Sequence, residues 1–178
     1  MPVTEIATLK LVPPHHWNSP ETQAFFGDVA AQQAAWSSYP LHYFQDASDA
    51  QTVYILTGWA SVAAHFEWIE SAQNQALLER SKGLIEVVDL QHARLHVELD
   101  EAHLVILEQW PKRSDEEPGN GSMVRGAIGL VEEKPDEVCS VKALWKAEDA
   151  VHEGENVHAP DRRTIRLKRL FLHSHAIA

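Results

Sequence analysis

The stretch YILTGWASVAAHFEWI, residues 54 to 69, sets a tryptophan, a serine and a histidine where strand character gives way to helical spacing. Ser61 is a helix-capping type; His65 follows it by one turn and precedes Trp68 by three residues, so all three can share a helix face. A histidine there titrates near neutrality and is placed to take an acidic proton such as that of a phenol. Trp59, at the strand end, offers either an aromatic surface or a core indole with its N–H satisfied. Tyr43 and Tyr54 lie in two neighbouring β-like runs and can present hydroxyls. His15, His16 and Trp17 crowd a loop between prolines and Ser19. Loops at strand ends often carry function, although loop histidines are more commonly just solvated. The expected site is therefore His65 and Trp59 for chemistry, with Tyr54, Tyr43, Trp68, His16 and Trp17 lining it.

Eleven histidines raise the question of a metal. His92 and His96 are four apart, a spacing suited to ligands on a helix, but their segment reads as a strand with His96, Glu98 and Asp100 alternating outward. VHEGENVH and the terminal HSH are polar and lack ligand spacing on a defined element. No metal site is expected, and no organic cofactor either. A Gly-rich phosphate loop, a GxSxG elbow and a dinucleotide fingerprint are all missing. Cys139 falls among Val138, Val141, Leu144 and Trp145 and reads as core.

The charge balance excludes another class. Fifteen basic against 26 acidic residues give a net charge of -11, whereas nucleic-acid binders carry a basic face. The one basic run, DRRTIRLKRLFL, alternates Arg166 and Lys168 with Ile165 and Leu167, as a strand with one wet face does. A single cysteine allows no internal disulfide. Neither a signal peptide nor a membrane span is legible, so the expectation is a cytoplasmic protein with no nucleic-acid or membrane partner.

The elements that must position these residues follow from punctuation and period. TEIATLKLV (4 to 12) alternates as a strand. Ser19 followed by Pro20 starts a helix carrying Phe25, Phe26, Val29 and Trp36, with Trp36 assigned to the core. PLHYFQD and QTVYILTG form an antiparallel pair. Ser61 caps a short helix with Val62, Phe66 and Ile69 on one side, and Ser71 caps another that stops at Gly83. GLIEVVDL, continuing through ARLHVEL, adds a last strand. Residues 1–99 thus read β-α-β-β-α-β, a ferredoxin-like α+β unit. Its second sheet face needs cover, which predicts a homodimer. Residues 100–178 read β-β-α-β: a strand at 104–110, a polar loop, a strand from Met123, a helix from about Asp136 to Val151, and the basic-faced strand. This part is either a C-terminal extension or an incomplete second lobe.

With Trp59, Ser61, Ala64 and His65 in VYILTGWASVAAHFEWIESAQNQ, the first unit resembles the antibiotic biosynthesis monooxygenase family of dimeric α+β barrels, as found in fungal secondary-metabolite pathways. The resemblance covers about the first 100 residues. It implies a homodimer with packed sheets and a pocket in each chain between sheet and helices, toward which Trp59 points. It also implies oxygenation without flavin or metal of an aromatic or polycyclic, polyketide-type intermediate, which supplies its own electrons once deprotonated. Two positions depart from the family. Ile55 stands where oxygenase members place an asparagine, which favours a non-redox cyclase, dehydratase or pericyclic catalyst using the same pocket. Ile69 stands where haem-degrading relatives carry the axial histidine, which removes haem. A third alternative is a binding or stress-response barrel without turnover, in which the same aromatics form a solid core.

Overall fold

The computed structural model describes residues 2–113, 122–123, 126–145 and 161–172. Nine strands and three helices follow in the order β1 (Val3–Leu11), α1 (Pro20–Ser37), β2 (Leu41–Asp46), β3 (Thr52–Trp59), α2 (Val62–Glu70), α3 (Ala72–Ser81), β4 (Ile85–Ala93), β5 (Leu104–Pro111), β6 (Ser122–Met123), β7 (Gly126–Leu130), β8 (Glu137–Leu144) and β9 (Arg163–Leu170). The class is α+β. Helix starts obey local chemistry: the hydroxyls of Ser61 and Ser71 accept from the backbone N–H of Ala64 and Asn74. Ser19 precedes Pro20 as expected, but its hydroxyl accepts from the His16 N–H and does not cap α1. After α3 the chain turns at Gly83 with φ +80°, a conformation that suits glycine.

All nine strands form one sheet, in the order β4-β1-β3-β2-β9-β5-β8-β7-β6. Within it β4-β1-β3-β2 is the ferredoxin-like order, and β9-β5-β8-β7 repeats that order with the second set of strands. The sheet also closes on itself. Ala93, at the end of β4, bridges Val131 just past β7, flanked by bonds from Arg94 N–H to Leu130 O and from Glu132 N–H to His92 O, each 2.8 to 2.9 Å. This contact pairs the C-terminal end of β4 with the end of β7.

Two cores result. Inside the barrel, Ile6, Phe44, Tyr54 and Leu56 of the first half meet Val105, Leu107, Val141, Ile165 and Leu167 of the second, and Leu95, Leu99 and Ala102 of the segment after β4 plug the space. Outside, between the first half of the sheet and its helices, Val3, Ala7, Leu9, Val53, Ile55 and Trp59 pack on Phe25, Phe26, Trp68 and Leu77. The sheet face that seemed to need a second copy is therefore covered by the chain's own second half. The physical ground for predicting a homodimer is met internally.

Several expectations are corrected. Residues 137–144 form a central strand, not a helix: the apolar positions suit either period, and the open edges of β5 and β7 decide. Cys139 is core as expected, but on that strand. β4 ends at Ala93, because the chain then turns inward as the plug. Trp36 is 44% exposed, with one face against Trp68 at 5.6 Å. The remainder of the expected helix beyond Trp145, the VHEGENVH stretch and the HSH terminus lie outside the described residues.

Closure brings β7 very near the plug. A Cβ on Gly129 would sit 2.2 Å from the Arg94 carbonyl oxygen, a backbone atom that cannot swing aside. Gly129→Ala is expected to lower the stability by roughly 1–3 kcal/mol, as overpacking does, read as a fall in the urea midpoint with an unchanged slope; an unchanged midpoint would contradict the closure.

Candidate functional site

Strand register builds the site. In β1 one face carries Val3, Glu5, Ala7, Leu9 and Leu11 toward the helices, so Glu5 enters an otherwise apolar layer. It stands opposite Thr57 of β3 on one side and His92 of β4 on the other, and Trp59 lies one step along the same face of β3. From above, α1 lowers Gln33 and α2 lowers His65. Glu5, Trp59, His65 and His92 are each at most 4% exposed.

The contacts form a line. Trp59 Nε1 donates to Glu5 Oε2 at 2.6 Å, and Gln33 Nε2 donates to the same oxygen at 3.2 Å. His65 Nε2 lies 3.5 Å from Glu5 Oε2, and the His65 ring is stacked on the Trp59 indole with centroids 4.4 Å apart. His65 Nδ1 and His92 Nε2 are 2.7 Å apart. His92 Nδ1 lies 2.5 Å from Glu133 Oε1, and the His92 backbone N–H donates to Glu133 Oε2 at 2.8 Å. Glu133 is partly exposed, so the line runs from a sealed carboxyl to the surface.

Donor and acceptor counting fixes its protons. The Glu133 carboxylate accepts from His92 Nδ1–H, so in a neutral His92 the Nε2 lone pair must accept from His65 Nδ1–H. That leaves a lone pair on His65 Nε2 on the side of Glu5, whose Oε2 lies 3.5 Å away, longer than a hydrogen bond. Electrostatics agrees. Burial pushes Glu5 up to about 7, against the opposing hydrogen bonds from Trp59 and Gln33. Burial, then the neighbouring His92, pushes His65 down to about 3, which keeps it neutral. A buried carboxyl raised toward neutrality near a His65 that burial keeps neutral is a grouping suited to acid–base chemistry.

The expected site residues are only partly brought together. His65 and Trp59 meet, but inside the packed layer. Tyr43 faces the helices, its hydroxyl donating to Phe26 O at 2.8 Å, whereas Tyr54 faces the barrel interior; the two point to opposite sides of the sheet. Trp17 is core against Phe26 and Tyr43, with its indole donating to Phe171 O at 3.2 Å. Trp68 is core beside Trp36. His16 is exposed in its loop, away from the line. On α2, His65 and Trp68 take the packed side and Phe66 is 50% exposed, its ring standing 6.3 to 6.5 Å from both imidazoles. Glu5, His92, Glu133 and Gln33 were not anticipated. One signal was readable: a carboxylate at an apolar-parity position in an alternating strand.

Among the described residues no group of three or more His, Cys, Asp or Glu side chains is arranged to hold a metal ion. Haem does not fit the cluster, because both ring nitrogens of His65 and of His92 are engaged. No helix is long and apolar enough to cross a membrane among the described residues. A second polar group lies at the barrel mouth. Arg169, a donor only, lies 2.7 Å from His42 Nδ1, which leaves the Nε2–H directed at Asp100, 3.3 Å away. Asp100, Glu101, Ala102, His103, Trp145 and Phe171 line a cavity of about 320 Å³ there.

No protein-family model matches the chain, and no curated protein matches it in sequence. Solved structures do match in fold. A proposed monooxygenase from Fusobacterium nucleatum superposes with a TM-score of 0.66 at 8% identity, over 96% of this chain and 93% of that one. A chlorite dismutase variant from Candidatus Nitrospira defluvii gives 0.60 at 10% identity, over 96% and 92%. An anthrone oxidase-like protein gives 0.52 at 9% identity, over 95% and 92%. At such identities the likeness defines an α+β barrel fold shared by these proteins.

The Glu5 titration carries a signed prediction. Its folded value of about 7 lies above the ordinary 4.5. Its contribution is therefore full below pH 4.5 and is lost as pH rises toward 7, by roughly 3 kcal/mol at most. Glu5→Gln has no such loss, so the stability of the variant relative to the parent should rise between about pH 4.5 and 8 in urea titrations. A difference that does not vary with pH would contradict a buried, titrating Glu5.

Proposed function

We propose that the chain is a small-molecule enzyme of oxygenase type that acts on a compact, electron-rich aromatic substrate, with the Glu5–His65–His92 line as its base. The observation that carries this reading is a sealed carboxyl bonded to Trp59, beside the stacked Trp59–His65 pair, with His65 joined through His92 to Glu133 at the surface. The monooxygenase and anthrone oxidase-like neighbours support the same class. Phe66 stands over both imidazoles and is half exposed, so a change of its rotamer opens a path to them, and Trp59 and Phe66 supply aromatic walls.

The chemistry balances without a further reductant. A CH₂ activated by phenolic rings loses a proton to the base, and the carbanion passes electrons to dioxygen and forms a C–O bond. The resulting hydroperoxide then collapses to a carbonyl and water, so CH₂ plus O₂ gives C=O plus H₂O. The protein's share is to take the proton, exclude water and orient the ring. A second location has one observation in its favour, the cavity at the barrel mouth, where Asp100 backed by His42 would be the base between Trp145 and Phe171.

Oxygen-electrode assays with anthrones, naphthols and hydroquinones test the reading. One equivalent of O₂ should be consumed per quinone formed from an anthrone, and His65→Gln should lower kcat by about 100-fold or more with the near-UV CD spectrum retained. Loss of activity in Asp100→Asn but not in His65→Gln would move the base to the barrel mouth. Turnover without O₂ uptake would make the enzyme a non-redox cyclase or dehydratase, and no turnover with any substrate would favour a binding barrel. Access is tested separately. Phe66→Ala should increase carbethoxylation of His65 and His92 by diethyl pyrocarbonate, followed by peptide mapping; unchanged protection would close that route.

A further inference from the structure

We propose that Glu5, His65, His92 and Glu133 form a proton relay, with Glu133 as its surface terminus, so that a proton leaving the sealed Glu5 is delivered to solvent through the two imidazoles. This goes beyond the oxygenase reading: neither measurement below uses a substrate, so either conclusion can fail without the other.

Geometry provides a route of two hydrogen bonds and one longer step. His65 Nδ1 and His92 Nε2 are 2.7 Å apart, and His92 Nδ1 and Glu133 Oε1 are 2.5 Å apart. Glu5 Oε2 lies 3.5 Å from His65 Nε2, a gap that must shorten for the proton to pass. One concerted shift moves each proton along one bond. Glu5 becomes a carboxylate, both histidines exchange the Nδ1–H tautomer for Nε2–H, and Glu133 becomes a carboxylic acid that releases its proton to water. No imidazolium is left in the apolar layer, which is the costly alternative. The order is favourable once Glu5 is ionised, since its buried oxygen then receives an N–H from His65 while Glu133 can turn to water.

The surroundings isolate the route. Facing Glu5 are Thr57 and Trp59 of β3, His92 of β4, Gln33 of α1 and His65 of α2; Tyr43 of β2, its hydroxyl bonded to Phe26 O, feels the Glu5 charge. Beside Glu133, Glu132 is paired with Arg94, one guanidinium nitrogen lying 2.8 Å from its carboxylate. The Glu132 charge is thus already matched. Glu133 itself is set by barrel closure, because the Ala93–Val131 bridge places the turn after β7 against His92.

Two experiments on the intact chain test the relay. In ¹⁵N NMR of the imidazoles, both histidines should be neutral Nδ1–H tautomers below the Glu5 midpoint and should switch together to Nε2–H as Glu5 ionises; tautomers that stay unchanged across that titration overturn the proposal. In pH-jump infrared spectroscopy, the protonated-acid band lost in Glu5→Gln should relax at least about tenfold more slowly in Glu133→Gln, with its midpoint nearly unmoved. The amide introduced by Glu133→Gln keeps an acceptor for His92 but cannot take up a proton, so an unslowed relaxation overturns Glu133 as the terminus. If that variant does not fold, the tautomer measurement on the parent chain still decides.

Discussion

Burying one carboxyl in an apolar layer is the constraint around which the first half of this protein is arranged. Glu5 projects from β1 among Val3, Ala7 and Leu9, where an unpartnered carboxylate is strongly disfavoured. Three polar side chains are turned toward it: the Trp59 indole, the Gln33 amide and the His65 ring. Those partners come from three elements, so β3, α1 and α2 are tied to the position of a single oxygen. The cluster also explains a local choice that apolar packing alone would have made otherwise. His65 occupies the inward place on α2, and Phe66, the better hydrophobe, is displaced to the surface.

The same cluster depends on barrel closure. His92 needs a partner for Nδ1, and that partner, Glu133, belongs to the second half of the chain. It arrives because Ala93 pairs with Val131, and this pairing requires β7 to approach the plug closely enough that only glycine fits at 129. Sheet topology and site electrostatics are one problem here: opening the barrel would strand a buried imidazole, and removing the imidazole would take away one of the bonds that hold Glu133.

Packing also separates places that could do chemistry. The barrel interior is filled by apolar side chains from both halves and by Leu95, Leu99 and Ala102, unlike larger barrels that enclose a ligand. Acid–base equipment therefore lies outside the barrel wall, under the helices, while open space lies at the mouth around Asp100 and Phe171. Phe66 borders the first group, and the His42–Asp100 pair borders the second.

Much of the local structure was legible in the sequence. Ser19–Pro20, Ser61, Ser71 and Gly83 mark helix boundaries because capping and positive φ are local requirements, and alternation located β1 to β3, β5 and β9. The proximity of His65 and Trp59 was also legible from their junction, since a strand end beside a helix cap brings them near each other whatever surrounds them. The helix expected from residue 136 shows the limit: Val138, Val141 and Leu144 fit a helical stripe as well as a buried strand, and only the unpaired edges of β5 and β7 resolve the period. Glu5, His92 and Glu133 are far apart in the chain, and nothing local links them. Residue types and caps determined the elements; strand register and barrel closure, which are long-range pairings, decided that these carboxyls and imidazoles should meet and in what order their protons lie.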